Sequence, residues 1–397
     1  LQTDPSLPAQ REPLLTRPFL LASASHFLHA LAFNLYLHLS GFLKTAGATE
    51  ATIGLIFGAT GLAAIVARPP MGRIMDRRGR TAIARAGGLL HLIVCLLYGT
   101  VVTAGPWVTT VRIAHGVAEA MLFTSLFAYA SDIVPASRRY EGIALFGVSG
   151  MLPISLGSLL GDVLLARAGG PTLAGYRHLF ATSAVLAAAA FLLSLPLREP
   201  DRSTSGEPTR GMTAAFLQRD LLPLWLAGVV FATCLAAPFT FFATFVMTES
   251  IGSAGLYFSC YSIAAISLRI LAGKLPERLG PKRVLLPAMF AVAVGLSVLV
   301  LARSPAHVAL AGILSGMGHG NTFPILLGLV VTRARPSERG AALAIFTALF
   351  DAGALLGNPL FGNLVKLTGS YRLMFAASAF LMWIGTGVFS LADRRHD

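Results

Sequence analysis

The sequence predicts an all-α membrane protein of twelve transmembrane helices, arranged as two pseudo-symmetric six-helix bundles. Three observations carry that prediction. The chain is 55% hydrophobic and only 12% charged, with a mean hydropathy of +0.71, whereas soluble domains carry about 25% charged residues. Apolar runs of about 20 residues, long enough to cross a bilayer, recur along the whole length. And the segment RPPMGRIMDRRGR, residues 68–80, returns in altered form as RILAGKLPERLGPKR, residues 269–283. Arg68 matches Arg269, Gly72 matches Gly273, Asp76 matches Glu277 and Gly79 matches Gly280, all at an offset of 201. Internal duplication of this kind is expected of secondary transporters. Lipid tolerates no unpaired backbone groups, so the spans are expected as helices; the alternating pattern of a barrel strand is absent.

In chain order, the first half offers spans at 18–42, 51–72, 81–104, 107–133, 141–165 and 176–197. The second offers 221–248, 254–275, 284–302, 305–332, 340–364 and 371–391. The expected domains are an N-terminal tail (1–17), a bundle (18–197), a linker (198–219) and a second bundle (220–392). The linker reads as a connection because it is polar and rich in Pro, Gly, Ser and Thr. The repeat runs on beyond its opening motif: Pro135 and Arg138 match Pro336 and Arg339 at 201, and Phe123 and Gly157 match Phe323 and Gly357 at 200. An even number of spans per half makes the duplication parallel, about an axis along the membrane normal.

The net charge of +13 does not indicate nucleic-acid binding, because Arg and Lys cluster between spans rather than on one soluble face. Arg77, Arg78 and Arg80, Arg138 and Arg139, Arg278 and Arg283, Arg333 and Arg335 fall on one side of the predicted topology. The positive-inside rule makes that side, with both termini and the linker, cytoplasmic. No cleavable signal peptide is expected in the first residues. Cys95, Cys234 and Cys260 all lie in apolar runs without metal-ligand spacing and read as packing residues.

GRIMDRRGR (72–80) resembles the cytoplasmic loop signature of the major facilitator superfamily. RIAHGVAEA (112–120) is similar to that superfamily's fourth-helix signature, and SDIVPASRR (131–139) to its fourth-to-fifth helix connection. Within the superfamily the chain looks most like the twelve-helix drug–proton antiporter and small-molecule efflux group. GVSGMLPISLGSLLG (147–161) has the Gly spacing and the Pro of that group's fifth-helix signature, although Leu152 stands where the group has Gly. The resemblance implies a cell-membrane transporter, expected to be monomeric, that moves a small-molecule substrate by alternating access, coupled to protons and directed to efflux. It further implies a cytoplasmic latch of Gly72, Asp76, Arg80 and Asp132. In it, Asp76 would face the N-terminus of a helix beginning near Gly340, where free N–H groups and the dipole favour an anion, and Arg80 would pair with Asp132. Glu277 is the corresponding acid of the degenerate second copy.

Ionisable residues inside the bilayer are functional candidates by default. Arg112, His115 and Glu119 stand at i, i+3 and i+7 of the fourth span and share a helical face. Glu119 is the candidate proton carrier: burial favours its neutral form, while Arg112 or a protonated His115 favours the carboxylate. A compensated pair that only fixes packing is the alternative. Asp351, mid-way along the eleventh span, is a second proton-coupling candidate; a packing role requires an interfacial Arg such as Arg269. By resemblance the first, fourth, seventh and tenth spans line the cavity. The substrate-binding candidates are then His26, His29 and Tyr36, with His319 and Asn321 at the repeat positions of Glu119 and Met121, and the aromatic Phe241, Phe245 and Tyr261. The pairs Gly157/Gly161 and Gly353/Gly357 put small residues one turn apart for close helix packing.

No cofactor and no resident metal is expected, since no pair of histidines has firm ligand spacing. Nor does any Ser/His/Asp order, HExxH, P-loop or GxGxxG stand in a usable context, so an enzyme is not expected and an ion gradient supplies the energy. The alternative cargo is a polar solute or metal chelate, such as a sugar, organic acid or metallophore, moved in either direction. A receptor or membrane enzyme is the reading from outside transport.

Overall fold

The computed structural model describes residues 13–135, 138–200, 212–335 and 338–393. Among them every regular element is helical. The N-terminal half holds α1 (Arg17–Asn34), α2 (Leu39–Thr45), α3 (Glu50–Arg78), α4 (Arg80–Tyr98), α5 (Pro106–Ile133), α6 (Arg139–Arg167) and α7 (Leu173–Ser194). The short α8 (Met212–Phe216) follows. The C-terminal half holds α9 (Leu222–Glu249), α10 (Ala254–Ala272), α11 (Leu275–Leu279), α12 (Pro281–Val300), α13 (Pro305–Arg333), α14 (Arg339–Thr368) and α15 (Tyr371–Ala392). Twelve stretches are long and apolar enough to cross a membrane, α1 and α2 forming the first together.

Local chemistry sets where the helices begin. Thr16, Thr49, Thr172, Ser253 and Ser370 each accept the backbone N–H three residues on, the usual way to satisfy a free helix N-terminus. Proline occupies the first turn of α5, α9, α12 and α13, where its missing N–H costs nothing. Gly79 and Gly280, matched at 201, hold φ of +98° and +90°. Each turns the chain sharply between two spans in a conformation that side chains resist.

The two halves repeat the same packing. α1 packs on α6 and α7 as α9 packs on α14 and α15; α4 packs on α5 as α12 on α13; α3 packs on α5 as α10 on α13. Two main seams join the halves, α3 against α14 and α6 against α10, with a smaller contact of α2 on α9. Glycines allow the close approaches. A Cβ at Gly157 would stand 2.8 Å from Asn34 of α1, and one at Gly353 or Gly357 would stand 2.6 Å from a carbonyl of α9.

Two details depart from the sequence reading. The first span is broken by a 3-10 turn, Leu35–His38, where the chain passes Gly157 and Gly161 of α6. The predicted linker, 198–219, contains α8, because Ala215 is fully buried and the Phe216 carbonyl accepts from the Trp225 indole N–H at 3.1 Å. Its residues 201–211, like most of the N-terminal tail, lie outside the described residues.

Candidate functional site at the seams

The α3–α14 seam is lined on one side by Gly54, Gly58 and Gly61, whose missing side chains admit Asn358, Pro359 and the Asp351 backbone. Toward the end of α3 that carries Arg77 and Arg78, Arg68 crosses to Asp351. Its Nε donates to Oδ2 at 2.6 Å and its Nη2 to Oδ1 at 3.4 Å, while Nη1 donates to Thr124 Oγ1 of α5 at 3.2 Å. Both charged side chains are about four-fifths buried (21% and 18% exposed), so the pair is less screened than a surface ion pair. The packing alternative for Asp351 called for an interfacial Arg, with Arg269 as the example. The structure supplies instead its repeat counterpart Arg68, because α14 packs on α3 and not on α10.

Glu119 of α5 is half-buried beside this pair. The charges that act on it are Asp351, Arg112 and Arg68, and it makes no hydrogen bond or ion pair among the described residues. Arg112, one of those charges, and His115 also reach into the N-terminal bundle. Arg112 lies over the Phe57 ring at 4.5 Å and donates to His115 Nδ1 at 3.3 Å. Seven residues span almost two helical turns, so the guanidinium acts on Glu119 through space while it packs on the aromatic faces of Phe57 and Phe33.

His115 belongs to a row of buried imidazoles. His29 and His91 meet through their Nδ1 atoms at 3.1 Å, and the rings of His91 and His115 stack at 5.0 Å. The Nε2 atoms of all three are buried without a hydrogen-bond partner among the described residues. Tyr36 packs edge-on against His115 at 4.8 Å, and His26 accepts or donates a 2.7 Å hydrogen bond with Ser149. His91 was missed by sequence reasoning; its signal was a lone polar residue in the middle of the apolar third span, close to Gly87 and Gly88.

In the C-terminal half, His319 Nδ1 is hydrogen-bonded to the Tyr261 hydroxyl and packs against the Phe231 ring at 5.2 Å. Asn321 is buried nearby on α13. Phe241 and Phe245 are fully buried, Phe245 against Phe375 at 5.0 Å. The imidazoles thus stand in separate groups, His29, His91 and His115 in one half and His319 in the other, while the aromatic candidates Tyr36, Phe241, Phe245 and Tyr261 belong to one hydrophobic core that runs across both halves.

One end of the molecule is closed across the halves. Lys44, Glu50 and Tyr371 form a triad there, with the Tyr371 hydroxyl donating to Glu50 at 2.8 Å. Asp162 of α6 accepts from the Gly255 N–H in the first turn of α10 at 2.8 Å. A carboxylate of one half thus sits on a helix N-terminus of the other, where free N–H groups and the dipole favour it. The basic end differs. Arg80 pairs with Asp132 at 2.7 Å, both within the N-terminal half. Among the described residues a Cβ at Gly72 or Gly340 would meet no neighbouring element within 4 Å, and Glu277 is exposed without an ion pair. The side chain of Asp76 lies outside the described residues. No described hydrogen bond or ion pair joins the halves beyond Arg68 and Ser155 toward this end.

Comparison with known proteins agrees with this architecture. The profile of the Major Facilitator Superfamily matches residues 20–253 and 224–397. The chain is 26% identical to the staphylopine export protein of Staphylococcus aureus, over 94% of this chain and 93% of that one. It is 24% identical to the multidrug resistance protein MdtG of Enterobacter lignolyticus, over 93% and 90%. A bacterial homolog of the human lysosomal transporter Spinster, solved inward-facing and unoccupied, superposes with a TM-score of 0.79 at 16% identity, covering 96% of this chain and 98% of that one. Twelve spans, duplicated halves and a profile match along nearly the whole chain make this protein a member of the Major Facilitator Superfamily, a multi-pass membrane transporter of small molecules.

Proposed function

We propose that this transporter exports a small organic solute in exchange for protons, with Glu119 as the proton-carrying group. The observation that carries this reading is the position of Glu119: a carboxyl inside the membrane, without an ion-pair or hydrogen-bond partner among the described residues, next to the Arg68–Asp351 pair that spans the halves. Its charge state can therefore bias that pair. Loading a proton removes one negative charge beside Arg68 and leaves Asp351 as its sole counter-ion, which tightens the seam; release loosens it. Similarity to proteins named for staphylopine export and multidrug resistance supports the outward direction.

In this reading the basic end is cytoplasmic, with both termini, following the positive-inside rule, and the membrane is the cell membrane. Closure at Lys44–Glu50–Tyr371 and Asp162–Gly255 then corresponds to an inward-open state. The bundles 18–197 and 220–392 are the rocking bodies, residues 198–219 connect them, and the protein works as a monomer. Gly72, Asp76, Arg80, Asp132 and Glu277 latch the cytoplasmic end when the molecule opens outward. His26, His29, Tyr36, Arg112 and His115 shape the N-terminal wall, and Phe241, Phe245, Tyr261, His319 and Asn321 the C-terminal wall.

The test is transport of labelled small organic solutes in proteoliposomes under an imposed pH gradient. Glu119→Gln is expected to abolish pH-driven flux while solute binding persists. Undiminished pH-driven flux in that variant refutes the assignment.

A further inference from the structure

The duplication places an arginine at the same point of both seams, and the two arginines meet different fates. Arg68 of α3 reaches Asp351 of α14. Arg269 of α10, its counterpart at 201, meets no carboxylate among the described residues. The register of the two seams agrees: Gly58 lies against Leu355 in one, and their repeat positions Ser259 and Ser155 hydrogen-bond at 3.1 Å in the other. At the offset of 200, the place of Asp351 is taken by Met151. Among the described residues Arg269 donates only to the Gly320 carbonyl, at 3.2 Å, and its Nη1 lies 3.3 Å from where a Cβ of Gly147 would stand on the facing helix. It is half-buried, at the junction of the halves, close to the cluster of His319 and Asn321.

A guanidinium within the membrane is costly without a counter-charge. Arg112 also has no ion pair among the described residues, but it is 5% exposed, lies over two phenyl faces and acts on Glu119 from the same helix. Among the described residues Arg269 lies over no ring and faces no carboxylate; it stands in the last turn of α10, where the helix dipole favours a cation without supplying an anionic partner. The carboxylate of the α6–α10 seam, Asp162, is engaged at its far end by the Gly255 N–H of the α10 N-terminus, whereas Arg269 stands in the last turn of that helix. The open valence is that of a planar fork suited to an oxyanion.

We propose that Arg269 is the anchor for a carboxylate or phosphate group of the transported solute, so that the cargo is an organic anion or carries an anionic group at this point. This deepens the export reading above and rests on the seams being the cargo site.

The test uses the full chain purified in neutral detergent. Its thermal unfolding is followed with rising glutarate, and separately with inorganic phosphate, at ionic strength held constant with sodium chloride. A saturable upward shift is expected in the unaltered protein, because a ligand of the folded state raises apparent stability. The shift should vanish in Arg269→Gln, persist in weakened form in Arg269→Lys, and vanish in Met151→Asp, which restores the missing acid. An equal shift in Arg269→Gln, or no shift with either anion in the unaltered protein, overturns the proposal. A parallel measurement in nanodiscs compares phosphatidylglycerol with phosphatidylcholine. Stabilisation by the anionic lipid alone, with no response to soluble anions, assigns the oxyanion to a headgroup and overturns the cargo assignment. Glu119→Gln keeps the two readings apart. Loss of the anion shift with Glu119-dependent proton flux intact defeats this inference only; an anion shift that depends on Arg269 without such flux defeats proton coupling only.

Discussion

The α3–α14 and α6–α10 seams descend from one duplicated arrangement and have diverged in chemistry. The first has three glycines in α3 and a near-bidentate ion pair toward the end that carries Arg77 and Arg78. The second has Ser155–Ser259 and the Asp162–Gly255 cap, and a cation whose place for an acid is filled by Met151. A tight, charge-compensated seam resists opening, whereas a polar seam with an open charge leaves a position for something that is not protein. On the proposals made above, the first seam is the one whose charge pair answers to Glu119 and the second the one that offers a place for an anion.

Overfilling the first seam is the strongest way to break that contrast. Gly54→Leu puts a side chain where a Cβ alone already falls within 2.9 Å of the Asn358 carbonyl carbon, with its oxygen closer still. The expected result is loss of the closed end, or loss of folded protein, read by cysteine accessibility and by size exclusion. The equivalent Gly255→Leu is also crowded, though against the Asp162 and Leu159 side chains, which can shift; a smaller effect is expected. An equal response of the two seams removes the distinction.

Next in size is the ion pair. Arg68→Gln should destabilise by about 1–3 kcal/mol, between the exposed and buried limits for ion pairs, because it leaves Asp351 without its counter-ion. Arg269→Gln removes a charge that has none, and thermal stability in ligand-free detergent should stay level or rise. The two unfolding midpoints check this directly, and a comparable loss in both refutes the asymmetry.

The Asp162 cap comes third. Asp162→Ala removes the acceptor of the Gly255 N–H and should cost about 0.5–2 kcal/mol, the usual range for a helix N-cap. It should also raise labelling of cysteines placed near Lys44. The smallest expected effect is that of Ser155→Ala, about 0.5–1.5 kcal/mol for one hydrogen bond, read as a small drop in midpoint without change in labelling.

Much of this architecture was legible in the chain. The 201-residue offset of Gly79 and Gly280 corresponds to the same positive-φ turn in each half, because only glycine adopts that backbone freely. The spaced glycines at 157 and 353 sit in close helix contacts, since a missing Cβ has the same consequence in any register. The site was legible only in its parts. Helical spacing put Arg112, His115 and Glu119 on one face, yet an arc of about 100° is wide enough to divide between the interior of a bundle and the seam. The row from His29 to His115 passes through His91, a residue of a span that spacing within one helix cannot connect to the others.

By itself the sequence determined the number of spans, the parallel duplication and the places where the chain must turn, because these follow from bilayer thickness, periodicity and the conformational freedom of single residues. Only the tertiary structure decided the pairing of charges. Arg68 and Arg269 are alike in the sequence, and each has apolar neighbours and a glycine four residues on. Which of them finds an acid depends on the helix that packs against it from the other half, and such a contact joins residues 283 positions apart. Coulombic attraction acts through space, so its outcome is set by which helices are brought together.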